Sequence, residues 1–149
     1  MTATRWLGLA TLTVLFATSA LAQEASVLGR WTTIDDETKK PKSIVTLYEE
    51  GGKVYGKIEK LFRAPTEEQN PLCDKCEGAL KNQPIIGMII LRDLKKDGNE
   101  WTGGTILDPA NGKTYKAKIA VEDGGKKLKV RGFIGIALIG RTQYWMRAE

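Results

Sequence analysis

The sequence predicts an all-β fold, an eight-stranded antiparallel up-and-down barrel, and three observations carry that expectation. Short segments of alternating apolar and polar residues are separated by glycine-bearing turns, the period-2 signature of half-buried strands. Two of those turns, counted independently, set apolar residues opposite apolar residues on one face. After Ser26 no segment has the periodicity of an amphipathic helix of useful length.

The 149-residue chain begins with a segment that reads as a Sec-type signal peptide. Arg5 supplies a short basic start, Trp6 to Phe16 an apolar stretch, and Ala20-Leu21-Ala22 a small-residue cleavage site. That stretch is too short to cross a bilayer of about 30 Å as a helix, and no later run is long enough either. Residues 1–22 are therefore expected to be a cleaved signal helix and 23–149 a single β-barrel domain, periplasmic or secreted, with no transmembrane span. Losing Arg5 lowers the net charge from +5 to +4. Histidine is absent, which excludes imidazole bases and most zinc and haem sites.

The strands are expected at 27–34, 43–49, 53–60, 86–94, 100–107, 114–121, 127–133 and 141–147. The clearest alternation has Tyr115, Ala117, Ile119 and Val121 on one face and Lys116 and Lys118 on the other. A two-residue Gly124-Gly125 loop sets Val121 opposite Leu128, Ile119 opposite Val130 and Ala117 opposite Gly132. The same rule at Gly51-Gly52 sets Val45 opposite Ile58 and Leu47 opposite Gly56, with Tyr48 beside Tyr55 outside. Two-residue loops at Asp97-Gly98 and Asn111-Gly112 turn Ile89, Leu91, Gly104 and Ile106 inward and leave Leu94 and Trp101 outside, unless a bulge at Gly103-Gly104 reverses the parity. Closure into a barrel leaves no edge strand to aggregate, and a sandwich is the alternative.

Connections in such a barrel alternate between its ends. The turns at Gly51-Gly52, Asp97-Gly98 and Gly124-Gly125 share one tight end. The other end receives Asp35 to Lys42, the 25-residue stretch Leu61 to Ile85, Asp108 to Lys113, and Ile134 to Gly140, so a ligand mouth belongs there. The mouth residues expected to matter are Asp108, Asn111, Ile136 and Leu138, and the interior is expected to be lined by Val45, Leu47, Ile58, Tyr115, Ile119 and Val130. Trp31 on the first strand and Arg147 on the last lie at the tight end, where a guanidinium stacked on the indole would close the base.

Gly29-x-Trp31 with a late arginine resembles the lipocalin and wider calycin group. Across nearly the whole mature chain the sequence also resembles a bacterial exported family known as domain of unknown function 2147. The matching residues are Val54-Tyr55-Gly56-Lys57-Ile58, Cys73-x-x-Cys76, Trp101-x-Gly103-Gly104, Ile106-Leu107-Asp108-Pro109, Gly112-Lys113-x-Tyr115, Leu128-x-Val130-Arg131-Gly132 and Arg141-Thr142-Gln143-x-Trp145-x-Arg147. The resemblance implies a secreted lipocalin-like barrel and brings no activity or catalytic residue.

The remaining constellations are weighed on chemistry. Cys73 and Cys76 cannot make a zinc site without two further good ligands, and no strand-to-helix pattern surrounds them to make a thioredoxin-like pair. Export to an oxidising space favours a local disulfide. Asp108 would need a second carboxylate from Asp35, Asp36 or Asp74 for hydrolysis, and turn chemistry accounts for it more simply. Lys116, Lys118, Lys127, Lys129 and Arg131 form an outward basic stripe, either a solvated face or a surface for an anionic envelope. Glu122 and Asp123 interrupt it, which argues against nucleic acid. The apolar run from Gly132 to Gly140 either packs inward, the commoner fate, or presents an apolar surface.

No nucleophile with a base, metal cluster or cofactor fingerprint is present, so no enzyme, metal or cofactor is expected. The leading expectation is a periplasmic barrel that binds a small apolar or amphipathic molecule. The alternative is an envelope-associated interaction module with a filled core and no ligand.

Overall fold

The computed structural model describes residues 25–136 and 138–149, so the expected signal peptide at 1–22 lies outside the described residues. Eight strands follow in order: β1 (Gly29–Ile34), β2 (Pro41–Glu50), β3 (Lys53–Leu61), β4 (Ile89–Asp97), β5 (Glu100–Asp108), β6 (Lys113–Glu122), β7 (Lys127–Phe133) and β8 (Gly140–Arg147). Each pairs antiparallel with its neighbour, and β1 pairs with β8 to close the barrel. The described residues hold no α-helix and none long and apolar enough to cross a membrane.

Turn chemistry sets the registers as expected in two hairpins. Val45 faces Ile58, Leu47 faces Gly56, and Tyr48 faces Tyr55, whose rings stack with centroids 5.8 Å apart. Ala117 faces Gly132, Ile119 faces Val130, and Val121 faces Leu128. The second hairpin closes on four residues rather than two, because Glu122 pairs with Lys127 and Asp123, Gly124 and Gly125 all take positive φ. The parity is unchanged, since residues were added symmetrically about the glycines.

The β4–β5 hairpin corrects the sequence reading. Its loop is Gly98-Asn99, closed by the Asp97–Glu100 pair, so Leu91 faces Ile106 rather than Gly104. Leu94, expected outside, is fully buried and faces the equally buried Val54. Trp101, also expected outside, faces Ile119 and is half-buried against the core. Ile89, expected inside, pairs with the exposed Lys57 and shares its outer face. Two irregularities cause this. The β3–β4 register shifts between Gly56 and Lys57, which turns Ile89 out while Leu91 stays in. Further along, Asp93 takes φ 59 nearly opposite Gly103 at φ 75, which turns Leu94 and Trp101 in. A left-handed residue in mid-strand inserts a bulge and reverses the alternation beyond it. The Asp93 carboxylate helps hold the kink by accepting from the Tyr55 hydroxyl at 3.0 Å and the Lys53 ammonium at 3.3 Å. Gly104 completes it, because a β-carbon there would stand 2.2 Å from the Arg92 carbonyl oxygen.

The barrel is solid towards its tight end. Trp31, Val45, Leu47, Val54, Leu91, Leu94, Ile119 and Leu128 are each 2 % exposed or less, which leaves no room for a ligand among them.

Candidate functional site: a cavity at the open end

Above that plug the interior opens into a cavity of about 520 Å³. It lies at the end that receives the long connections. Ile58, Val130 and Trp145 form its floor, since the inward residues nearer the tight end do not reach it. Tyr115 and Ile106, paired across β5 and β6, make one wall. Gly132, on β7, creates part of the space: a β-carbon there would meet only Ile106 Cγ2 at 3.4 Å and Tyr115 Cβ at 3.7 Å.

Of the six residues expected to line a pocket, Ile58, Tyr115 and Val130 do so. Val45, Leu47 and Ile119 are packed in the plug beneath and do not. Alternation marks them as inward but carries no depth along the barrel axis, and depth separates wall from plug. Among the mouth residues, Asp108 and Asn111 line the cavity. Ile136 and Leu138 do not, and their side chains are exposed. Inward packing, the commoner fate for the apolar run, is thus not adopted there, although Ile134 and Ile139 reach the rim.

Besides Asn111 and Tyr115, the cavity carries polar groups that the sequence reading did not single out, namely Thr33, Ser43, Arg63 and Gln143. The hydroxyls of Thr33 and Ser43, both buried, lie 2.6 Å apart at the cavity wall. Gln143 donates to Asp36 at 2.8 Å, and the Trp145 indole N–H donates to the Gln143 side-chain oxygen at 3.5 Å. Asn111 donates to the Tyr115 hydroxyl at 3.0 Å. Arg63 also lines the cavity, and its Nε is buried with no hydrogen-bond partner while NH2 sits 3.3 Å from Glu67.

Two mouth connections are built as rigid turns. The Asp35 carboxylate accepts from the Thr38 amide at 2.7 Å, the Thr38 hydroxyl at 3.0 Å and the Glu37 amide at 3.1 Å, which holds it below the usual carboxylate range. The Asp108 carboxylate accepts from the Ala110 amide at 2.9 Å, as turn chemistry leads one to expect.

The long connection between β3 and β4 folds on itself and seals one side of the mouth. Leu72 bridges Pro84, the Cys73 amide donates to the Gln83 carbonyl at 2.8 Å, and Cys73 and Cys76 form a disulfide. Both cysteines are buried in the core cluster, with Cys73 Sγ 3.7 Å from the Pro109 carbonyl oxygen. The connection is locked to the next turn at Gly112, where a β-carbon would stand 1.8 Å from the Lys75 carbonyl oxygen.

At the tight end Arg147 and Trp31 meet as expected. The guanidinium carbon sits 3.8 Å from the centre of the Trp31 ring. The same guanidinium donates to the carbonyls of Gly125, Leu28 and Ser26 at 3.0, 2.7 and 2.5 Å, so residues 26–28 are strapped across the base. The Trp31 indole donates to the Val27 carbonyl at 2.9 Å. Burial lowers the Arg147 pKa from its ordinary value, and the hydrogen-bonded carbonyls compensate its charge. Among the described residues no cluster of His, Cys, Asp or Glu side chains could hold a metal ion.

Comparison with known proteins agrees with this geometry. The model of a family described as uncharacterized protein conserved in bacteria (DUF2147) matches residues 29–147, the whole barrel. A solved protein from the human pathogen Helicobacter pylori, HP1028, described as belonging to the lipocalin family, superposes with a TM-score of 0.72. It is 23 % identical, and the match covers 84 % of each chain, which makes the fold lipocalin-like. No curated protein is similar enough to match.

Proposed function

The chain belongs to the bacterial family DUF2147, and on that premise we propose that it is a non-enzymatic binding protein for a small amphipathic molecule, held in the open half of the barrel. One observation carries the reading: the cavity of about 520 Å³, walled by apolar side chains and open at the end where the long connections gather. Pockets that hold small ligands are concave, mostly apolar and roughly 300–1,000 Å³ in volume. The apolar tail of a ligand would lie on Ile58, Val130 and Trp145. Its polar head would meet the side chains of Arg63 and Asn111, which line the cavity at the mouth. The rival, an envelope interaction module with a filled core, accounts for the plug but not for the open half. We further propose that residues 1–22 export the protein, so that it works in the periplasm or outside the cell.

The test uses protein isolated from its expressing cells. Native mass spectrometry is expected to show a co-purifying lipid-sized mass, or the emptied protein is expected to bind the apolar dye phenylnaphthylamine. Gly132→Leu, which fills the cavity from a β-strand backbone, is expected to abolish dye binding while the protein stays folded. Dye binding that survives Gly132→Leu, or clean protein that takes up no dye, would reject the proposal.

A further inference from the structure

The connection from β7 to β8 breaks the usual rule that turns at the water face are polar. Ile134, Ile136, Leu138 and Ile139 are 67, 60, 86 and 66 % exposed, the four most exposed large hydrophobic residues among those described. The turn has its own backbone bonds: the Ile134 amide donates to the Ile139 carbonyl at 3.1 Å, and the Ile139 amide donates to the Ile136 carbonyl at 3.0 Å. It therefore holds its aliphatic side chains outward on a hydrogen-bonded hairpin.

Basic groups surround this tip. The Lys116 ammonium reaches the Gly135 carbonyl at 3.4 Å, and Arg141, 3.4 Å from Asp36, follows two residues after Ile139. From the tip the outer face of β6 and β7 runs back through Lys116, Lys118, Arg131 and Lys129, with Lys118 opposite Arg131. The acidic groups on this face are Glu100, 3.5 Å from Lys118, and Glu122 at the far end of β6. Tyr144 and Met146 on β8 continue the same face, opposite Lys129 and Lys127, and are exposed. An aliphatic tip, a cationic flank and an exposed tyrosine are what a surface needs to enter the interface of an anionic leaflet.

We propose that this tip docks the barrel onto an anionic phospholipid bilayer, its four aliphatic side chains inserted among the lipids and the outer face of β6 and β7 against the headgroups. The proposal goes beyond ligand binding and stands without it, since it uses the outer surface. Ile134 and Ile139 also line the cavity rim, so docking through this wall brings one edge of the mouth to the leaflet.

The test uses protein isolated from its expressing cells and vesicles of phosphatidylethanolamine with phosphatidylglycerol. The protein is expected to sediment with these vesicles and not with pure phosphatidylcholine. Ile136→Ser with Leu138→Ser is expected to weaken binding about a hundredfold, with thermal unfolding unchanged because both side chains are exposed. Lys116→Gln and Lys129→Gln are each expected to weaken it about fivefold at low salt. Independently, Ile136→Trp is expected to place an indole whose emission shifts blue on vesicle addition and is quenched by brominated lipid. Absence of vesicle binding, equal binding by the serine pair, or an unshifted Ile136→Trp emission would overturn the proposal. So would self-association that the serine pair abolishes in the absence of any vesicle binding.

Discussion

Trp31 and Arg147 are ladder partners across the seam where the first strand meets the last, and the guanidinium of Arg147 lies flat enough on the indole to bring its carbon within 3.8 Å of the ring centre. The β1–β8 seam has only two registered pairs, fewer than any other antiparallel pair in the barrel, the next being β3–β4 with three. The contact therefore reinforces the weakest part of the closure, and three carbonyls from the base converge on the same side chain.

Arg147→Ala is expected to destabilise the barrel by about 3 kcal/mol, from the lost cation–π contact and the carbonyls left unpaired. Arg147→Lys is expected to recover less than half, because a point charge cannot stack and bond to three carbonyls at once. Urea unfolding checks both. A loss under about 0.5 kcal/mol for the alanine variant would contradict the role given to this residue.

The inward position of Leu94 has a direct test. Leu94→Ala is expected to cost about 2–5 kcal/mol, the range for a large-to-small change in a packed interior. Were Leu94 outside, as simple alternation predicts, the cost would be within about 0.5 kcal/mol.

Gly112 locks the β3–β4 connection to the mouth. Alanine there would meet the Lys75 carbonyl oxygen at 1.8 Å and would also occupy φ 73. Gly112→Ala is expected to lift the connection and expose residues 62–85 to limited proteolysis, with the barrel intact. Mass mapping of the first cleavage sites checks it, and an unchanged pattern would contradict the lock.

The Asp35 turn has a signed pH dependence. Its hydrogen bonds from Thr38 and Glu37 favour the carboxylate, so its folded pKa is lowered. The stability it contributes is complete above its unfolded value of about 3.9 and is lost as the pH falls through the lower folded value. The Thr38 amide resonance is expected to titrate with a midpoint below about 3.9, and Asp35→Asn is expected to remove that titration. A midpoint above that value would contradict the geometry.

Strand positions, pairing order and two hairpin registers were legible because they depend on short-range rules. Alternation divides the faces, and residues such as Gly51 and Gly52, at φ 59 and 76, position the reversals. The base contact was legible for the same reason, since strand order places Trp31 and Arg147 at one seam. Leu94 was not, because the left-handed turn at Asp93 draws on partners from β3, Lys53 and Tyr55, distant in the chain. Nor was the division of the inward residues into wall and plug. Val45 and Val130 have the same side chain and the same parity, yet one is sealed and the other borders a cavity. What separates them is how side chains from all eight strands fill each level of the barrel, with Gly132 leaving space above and Trp31 and Leu94 filling it below. A strand's own pattern records which way a side chain points. How much room it meets there depends on the volumes contributed by every other strand, and these come together only when the barrel closes.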